Sequence, residues 1–208
     1  MKKVIISSLC AKHLKVTTPS PWVKRFANLI QNGPILDLAA GSGRHSNFFL
    51  NRGYSVTAID LVTTELNKLE NHHNCEILLA NLETKNSVFA KGGCLHNRRF
   101  SGIVVTNYLH RPLMKDLVNA LLPDGVLIYE TFALGNELFS RPRNPKHLLK
   151  CGELINIFHK KLKIIAYEHG KTENTEIPGV KQRIVAINDL GNKSKPNKKL
   201  KLYSIDEN

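Results

Sequence analysis

The chain has 208 residues, of which 42% are hydrophobic, and it carries a formal net charge of +13. This length fits one globular domain with a single core, and the lack of any apolar run of about 18 residues argues against a membrane-spanning helix. The excess of Lys and Arg attracts phosphates and other acidic partners, but it serves solubility equally well and does not establish nucleic acid as a partner.

Short apolar runs alternate with amphipathic stretches, which predicts alternating strands and helices. Ser20 suits the cap of the first helix, Pro21 suits its first turn, and Gly33-Pro34 ends it. The predicted helices begin at Ser20, run from Gly43 to Gly53, and cover 63–71, 113–121 and 146–159. The predicted strands are 35–39, 54–59, 76–79, 103–106, 126–131, 162–167 and 182–187, with a polar connection over 84–99 and a turn at Pro123-Asp124-Gly125.

This alternation predicts an α/β fold with a doubly wound, Rossmann-like sheet and helices on both faces. The last two strands are joined by a polar loop around Pro178-Gly179, which suits an antiparallel pair. We expect an N-terminal extension at 1–17, one domain at 18–188, and a flexible basic tail at 189–208. Ligands of such sheets bind beyond the carboxyl ends of the strands, so the site residues should follow strands one to five.

Four scattered cysteines without a C-x-x-C pair favour free thiols and a cytoplasmic location. The histidines and cysteines at 72–75 and 94–96 fit no standard zinc spacing, and we expect no metal site. Basic residues concentrate in the stretch before Asp37, between Arg141 and Lys150, and in the tail.

The turn after the first strand has the clearest ligand-binding pattern, Leu36-Asp37-Leu38-Ala39-Ala40-Gly41-Ser42-Gly43. Gly41 and Gly43 permit a sharp turn and a close approach of the backbone to a ligand. A dinucleotide fingerprint would place a third glycine at Ser46, and it does not include an acid at Asp37. S-adenosylmethionine presents an ammonium group and a sulfonium there, so a carboxylate has an electrostatic purpose. The pattern favours S-adenosylmethionine, although a tight turn without a ligand stays open.

Polar residues also follow the next three strands. Asp60 can accept hydrogen bonds from both ribose hydroxyls or cap the next helix. Asn81-Leu82-Glu83 offers acceptors for an adenine edge or forms an ordinary loop. Asn107 and Tyr108 can shape a pocket for a transferred methyl group, while His110 can take a proton from a substrate or simply start a helix.

A general base is needed only when the methyl acceptor carries a proton. The candidates in order are His110, Tyr108 and Glu130, of which Tyr108 can equally be a packing wall and Glu130 can instead pair with Arg111 or Arg141. The loop from 132 to 145 is placed to act as a lid. Trp22 packs over the same mouth or belongs to the core.

Together these motifs resemble a bacterial family of small class I S-adenosylmethionine-dependent methyltransferases, distantly similar to tellurite-resistance-type methyltransferases. The resemblance covers residues 18–187 and implies a seven-stranded, mostly parallel sheet with the last strand antiparallel. The matching stretches are 20–23, 35–45, 104–113, 129–132, 135–137, 141–142, 144–145, 148–149 and 153–154. The family supplies no acceptor, and likeness of fold is a weak warrant for one.

The resemblance implies S-adenosylmethionine as cofactor, with the methionine end at the first turn, the ribose at Asp60, the adenine at Asn81 and the sulfonium near Asn107. The full set of expected cofactor-binding residues is Asp37, Ala39, Gly41, Gly43, Asp60, Leu61, Asn81, Leu82 and Asn107. Ala40 stands where the family usually has cysteine, and Asn81 where it usually has aspartate. The Asn81 amide still offers an acceptor.

The sequence therefore predicts a cytoplasmic S-adenosylmethionine-dependent methyltransferase, monomeric or homodimeric, that acts by in-line displacement on a small-molecule substrate. One alternative is an RNA-directed methyltransferase or an inactive protein that binds S-adenosylmethionine and RNA, which the basic stretches support. A second alternative is an NAD(P)-dependent reductase.

Overall fold

The computed structural model describes residues 16–189 and 202–205. Their seven strands form one sheet in the order β3-β2-β1-β4-β5-β7-β6. The strands are β1 Ile35–Leu38, β2 Val56–Asp60, β3 Cys75–Leu79, β4 Phe100–Thr106, β5 Leu121–Phe132, β6 Lys163–Thr172 and β7 Gly179–Ile187. β7 is antiparallel to both of its neighbours, β5 and β6, and the other neighbouring strands are parallel. The predicted fold class is therefore confirmed.

Four α-helices lie within the described residues: α1 Pro21–Phe26, α2 Arg44–Leu50, α3 Met114–Asn119 and α4 Glu153–Phe158. Short 3-10 helices cover Ala27–Leu29, Asn67–Leu69, Arg111–Leu113, Asn136–Leu138 and Pro145–His147. The start of α1 is as predicted, because the Trp22 N–H donates to Ser20 Oγ at 3.2 Å and Pro21 occupies the first turn.

A hydrophobic cluster covers each face of the sheet. Alternate residues of the central strands point to opposite faces, so Val105 packs with α3 and α4 whereas Val104 packs with α1 and α2. Both clusters include residues with no exposed surface, which explains why the central strands are continuous apolar runs.

Three predicted elements were wrong in extent. The helix predicted over 63–71 is only a turn and a 3-10 helix, and its two buried leucines, Leu66 and Leu69, lie beside Gly43 of the β1 turn. The helix predicted over 146–159 is α-helical only over Glu153–Phe158, because Leu148 is extended and Leu149 forms a bridge with Ala133. The turn predicted at Pro123-Asp124-Gly125 is part of the longer β5.

The two ends of the chain lie largely outside the described residues, as does most of the tail predicted over 189–208. Residues 202–205 contact the domain, since Tyr203 packs against the α1 and α2 cluster and Arg25 donates to the Ile205 carbonyl at 2.9 Å. No helix in the described ranges is long and apolar enough to cross a membrane.

Candidate active site

The turn after β1 is built from left-handed backbone. Ala39, Gly41 and Gly43 have φ values of 58°, 56° and 69°. A Cβ at Gly43 would lie 2.8 Å from Leu66 Cδ2, whereas a Cβ at Gly41 would meet no atom within 4 Å. The two glycines therefore serve different purposes: Gly43 is required by packing, and Gly41 leaves open space at the carboxyl edge of the sheet.

The Asp37 side chain is turned toward α2 and is only 1% exposed. Its Oδ2 accepts hydrogen bonds from the Ser46 N–H at 2.9 Å and from Ser46 Oγ at 2.6 Å. Burial raises the pKa of this carboxyl to about 7 despite the opposing effect of the Ser46 hydrogen bonds. Asp37 thus holds the start of α2 against β1. Ser46, which the sequence marked only as a missing glycine, is its partner.

Asp60 ties the β1 turn to the β2 turn. Its Oδ2 accepts from the Gly41 N–H at 2.8 Å and its Oδ1 from the Val62 N–H at 3.0 Å. A carboxylate oxygen can accept two hydrogen bonds and each of these accepts one from the backbone, so both retain capacity for a ligand hydroxyl. The next residue, Leu61, is 50% exposed.

The residues after β3 divide between the core and the edge. Asn81 is exposed and its Oδ1 accepts from the Glu83 N–H at 2.9 Å, which forms an Asx turn. Leu82 is buried in the core cluster on the α3 side. Because β3 lies next to β2, this turn stands beside Asp60 at the same edge.

The loop after β4 carries Asn107 in the left-handed region, with φ of 54°. The Asn107 N–H donates to the Glu130 carbonyl at 2.8 Å. The Tyr129 hydroxyl donates to the Tyr108 carbonyl at 2.8 Å, so β5 fixes the loop at two points. Asn107 Oδ1 is buried and has no hydrogen-bond partner among the described residues. A buried acceptor without a partner requires an explanation, and a ligand donor or an ordered water would provide one.

Tyr108 and His110 differ in environment. Burial, followed by the charges of Glu83 and Asp60, raises the pKa of the Tyr108 hydroxyl, which therefore stays protonated near neutral pH. His110 is half-buried, and its ring forms no hydrogen bond with a described residue.

Glu130 is 2% exposed and lies in a buried ion cluster, not in an open pocket. Its carboxylate is 3.1 Å from Lys181 Nζ and 2.8 Å from Arg183 Nε, and it accepts from Ser20 Oγ at 3.2 Å. The expected pairing of Glu130 with Arg111 or Arg141 was wrong, since Arg111 binds Glu153 through two hydrogen bonds of 2.6 and 3.0 Å. Lys181 and Arg183 come from β7, whose register with β5 the sequence did not reveal.

A buried histidine joins this cluster to the segment before α1. The Ser20 N–H donates to His45 Nε2 at 3.2 Å, and burial lowers the pKa of His45 so that its ring is neutral. The same segment is bound to the β1 turn region by Ser42 Oγ, which donates to the Val16 carbonyl at 2.6 Å. Ser20 was recognised from the sequence only as a helix cap, and its contact with His45 depends on tertiary packing.

Two further expectations concern the mouth of the site. Trp22 is 2% exposed and packs edge-on against Phe26 at 4.6 Å, so it belongs to the core. The lid role of the loop after β5 stays a prediction. Within the described ranges no three His, Cys, Asp or Glu side chains gather as a metal site would require.

The arrangement can be compared with known proteins. A family model described as tellurite resistance protein TehB matches residues 7–121. No curated protein sequence matches the chain.

Solved structures of similar fold include TehB and several methyltransferases. TehB from Haemophilus influenzae has a TM-score of 0.62 at 20% identity, with 78% of this chain and 59% of that chain covered. A SAM-dependent methyltransferase from Methanosarcina mazei has a TM-score of 0.58 at 17% identity, with 78% and 96% covered. The 1,6-didemethyltoxoflavin-N1-methyltransferase of Burkholderia thailandensis, solved with S-adenosylhomocysteine, has a TM-score of 0.55 at 18% identity, with 81% and 76% covered.

These likenesses show the class I methyltransferase fold, and the chain aligns with less than two thirds of the Haemophilus protein. The family model covers more than half of the present sequence. The chain therefore belongs to the TehB family of tellurite resistance proteins.

Proposed function

We propose that the protein transfers a methyl group from S-adenosylmethionine to a small-molecule acceptor. The observation that carries this proposal is the buried Asn107 Oδ1, which lacks a partner in the described part of the chain. It follows β4, which pairs directly with β1, so it lies at the same edge as the open Gly41 turn. A buried acceptor without a donor costs about 1–3 kcal/mol, and a cationic ligand would remove that cost.

The residues at this edge fit the cofactor. Asn107 Oδ1 would accept from its cationic methionine end, and the Asp60 oxygens would accept from the ribose hydroxyls. Leu61 and Asn81 would contact the adenine, with Leu82 as the wall behind them. Ala39, Gly41 and Gly43 would shape the turn beneath the methionine end, while Asp37 would act on that turn through Ser46 and α2 without touching the cofactor.

When bound, S-adenosylmethionine supplies a methyl group on a positively charged sulfur. The chain's own task is to hold the acceptor in line with that group, and alignment can contribute about 7–11 kcal/mol to catalysis. The loop after β4 suits this task because Tyr129 and the Glu130 carbonyl fix its backbone.

Of the three candidate bases we retain His110, which is half-buried and whose ring forms no hydrogen bond with a described residue. The Tyr108 hydroxyl stays protonated and would donate a hydrogen bond to the acceptor. Glu130 shares its carboxylate with Lys181 and Arg183, so we assign it to positioning the strands around the site.

The small-molecule class is supported by the related fold of an enzyme named for a small heterocyclic substrate. The free thiols of Cys75, Cys94 and Cys151 support a cytoplasmic location. Ser46 argues against the NAD(P)-dependent alternative, because its hydroxyl binds Asp37 where a dinucleotide fold places glycine.

The test is acceptor-dependent formation of S-adenosylhomocysteine with thiols, amines, phenols and chalcogen oxyanions. For acceptors that lose a proton, His110→Ala should lower kcat by about 10²–10⁴-fold, and His96→Ala, an exposed histidine elsewhere, should not change it. Acceptors that lose no proton on methylation should be insensitive to both changes. Equal losses in the two variants, or no product with any acceptor despite cofactor binding, would contradict the proposal.

A further inference from the structure

The loop between β5 and α4, residues 133–150, is closed at its base. Ala133 bridges Leu149, the Leu134 N–H donates to the Leu149 carbonyl at 2.9 Å, and the Leu149 N–H donates to the Phe132 carbonyl at 3.0 Å. We call this segment the β5–α4 loop. Its two ends lie side by side at the carboxyl end of β5, as in a compact Ω-loop.

Two side chains also bind the backbone of the loop: Asn136, which is buried within the loop, and Arg111, which lies outside it. Asn136 has no exposed surface; its Oδ1 accepts from the Val180 N–H at 3.2 Å, and its Nδ2 donates to the Pro142 carbonyl at 3.2 Å. Arg111 donates to the Lys146 carbonyl at 2.7 Å and to the Leu148 carbonyl at 2.9 Å. The backbone of the loop is therefore fixed independently of its exposed side chains.

Several of those exposed side chains are basic, while Leu134, Leu138 and Phe139 are exposed and apolar. Arg141, Arg143 and Lys146 are all exposed, and none forms an ion pair with a described residue. Arg111 and Lys181, by contrast, each bind a glutamate. Cations carried on a fixed backbone, with no ion-pair partner among the described residues, favour the binding of an anion.

The position of the loop relates this surface to the candidate active site. Arg111, which holds the Lys146 carbonyl, directly follows the Asn107–His110 segment. An acceptor placed beside that segment therefore lies near Lys146, the loop cation whose backbone Arg111 binds.

We propose that the β5–α4 loop binds the phosphate groups of the methyl acceptor, so that the substrate is a small phosphorylated molecule. The inference rests on the proposed methyltransferase function. Guanidinium and ammonium groups match phosphate oxygens through charge-assisted hydrogen bonds, and the guanidinium fork does so bidentately.

The neighbouring surface favours a small phosphorylated molecule over RNA. Phe139 of the loop lies 4.6 Å from Lys171 Nζ, so the β6–β7 hairpin is adjacent. The acids of that hairpin are largely paired with cations, Glu168 with Arg25 and Arg183, and Glu173 with Lys171. The cations of the hairpin are therefore already occupied. A phosphodiester chain that continued across it would find few cations to bind, whereas a compact phosphate group needs only the loop.

The test measures binding of inorganic tripolyphosphate to the full chain saturated with S-adenosylhomocysteine, by calorimetry at physiological ionic strength. One variant combines Arg141→Gln, Arg143→Gln and Lys146→Gln. The matched control removes the same charge from exposed lysines outside the loop with Lys91→Gln, Lys160→Gln and Lys161→Gln. We expect the loop variant to bind tripolyphosphate about tenfold more weakly or worse, and the control to stay within about twofold of the wild type.

Equal weakening in the two variants, or no binding to the wild type, would overturn the inference, because the loop would then be no more than part of a general basic surface. Tighter binding of a single-stranded RNA that is lost only in the loop variant would overturn it in favour of an extended polyanion. A wild-type chain that binds tripolyphosphate without any affinity for S-adenosylhomocysteine would refute the proposed function while leaving the anion site in place, so the two failures are distinguishable.

Discussion

At the scale of single residues, the candidate site is defined by the hydrogen bond that Asn107 Oδ1 does not form with the described residues. Its left-handed φ of 54° turns the chain away from β4, and its side-chain oxygen stays buried without a partner in the described ranges. Asparagine suits both tasks, because it tolerates the left-handed region and carries a strong acceptor.

Asn107→Gly should retain the backbone conformation and lose the oxygen. We expect the affinity for S-adenosylhomocysteine, measured by calorimetry, to fall roughly 10–100-fold, the range given by a hydrogen bond to a charged group of about 1.5–3 kcal/mol. Asn97→Gly is the matched control, since Asn97 has φ of 58° and is exposed. Unchanged affinity in a folded Asn107→Gly variant would remove Asn107 from the site.

The raised pKa of Asp37 predicts how the stability of the protein depends on pH. Its pKa is raised from 3.8 to about 7 in the folded protein, so the folded state binds a proton that the unfolded chain has lost. The free energy of unfolding contributed by this group therefore falls as the pH rises from about 4 to about 7. Asp37→Asn removes this dependence.

Urea unfolding of Asp37→Asn and the wild type checks this sign. The difference in the free energy of unfolding, variant minus wild type, should be larger at pH 8 than at pH 5 by up to about 2–3 kcal/mol. The variant is thus relatively more stable at the higher pH. The neutral His45 acts in the opposite sense, because its lowered pKa removes stability as the pH falls below about 6.5, but it is common to both proteins and cancels in the difference. A difference that is the same at the two pH values would show that Asp37 is ionised throughout.

At the scale of elements, the Glu130 cluster joins β5 to β7 and to the start of α1. One buried carboxylate stands against the cations Lys181 and Arg183, and it also accepts from Ser20 Oγ. Burial lowers the pKa of Lys181, and Glu130 opposes that shift, so the lysine depends on its partner to stay charged.

Glu130→Gln should lower the free energy of unfolding by about 3–5 kcal/mol, because it leaves two buried cations without a counter-charge. Glu168→Gln, which removes the more exposed partner of Arg183, should cost no more than about 1 kcal/mol. Chemical denaturation of both variants measures the contrast. Similar small losses would mean that the cluster is well solvated in solution.

The elements also show where sequence reasoning fails. In the segment predicted as a helix over 63–71, Leu66 and Leu69 are three residues apart, a spacing that suits a 3-10 turn as well as an α-helix. The pairing of Glu130 with Arg183 depends on the antiparallel register of β5 and β7, 53 positions apart in the chain, which local periodicity does not encode. Glu130 was consequently a candidate base, with Arg111 and Arg141 as its only alternative partners.

At the scale of the whole molecule, alternating periodicity was sufficient for the sheet. Buried strands such as β4 are apolar on both faces and are separated by amphipathic helices, which leaves few topologies. The turn after β1 and the polar residues after β2 and β4 were also predictable, because parallel strands bring their carboxyl ends to one edge. Side-chain direction was not, as Asp37 shows by pointing to Ser46 and α2.

The central claim is that this edge binds S-adenosylmethionine, and a thermal-shift series with S-adenosylmethionine, S-adenosylhomocysteine, NAD and NADP tests it most directly. A ligand at about 100 times its Kd adds about 2.7 kcal/mol to the free energy of unfolding, enough to raise Tm by several degrees. We predict such a rise with the two S-adenosyl compounds and none with NAD or NADP. A rise with NAD or NADP alone, or with none of the four ligands, would contradict the account.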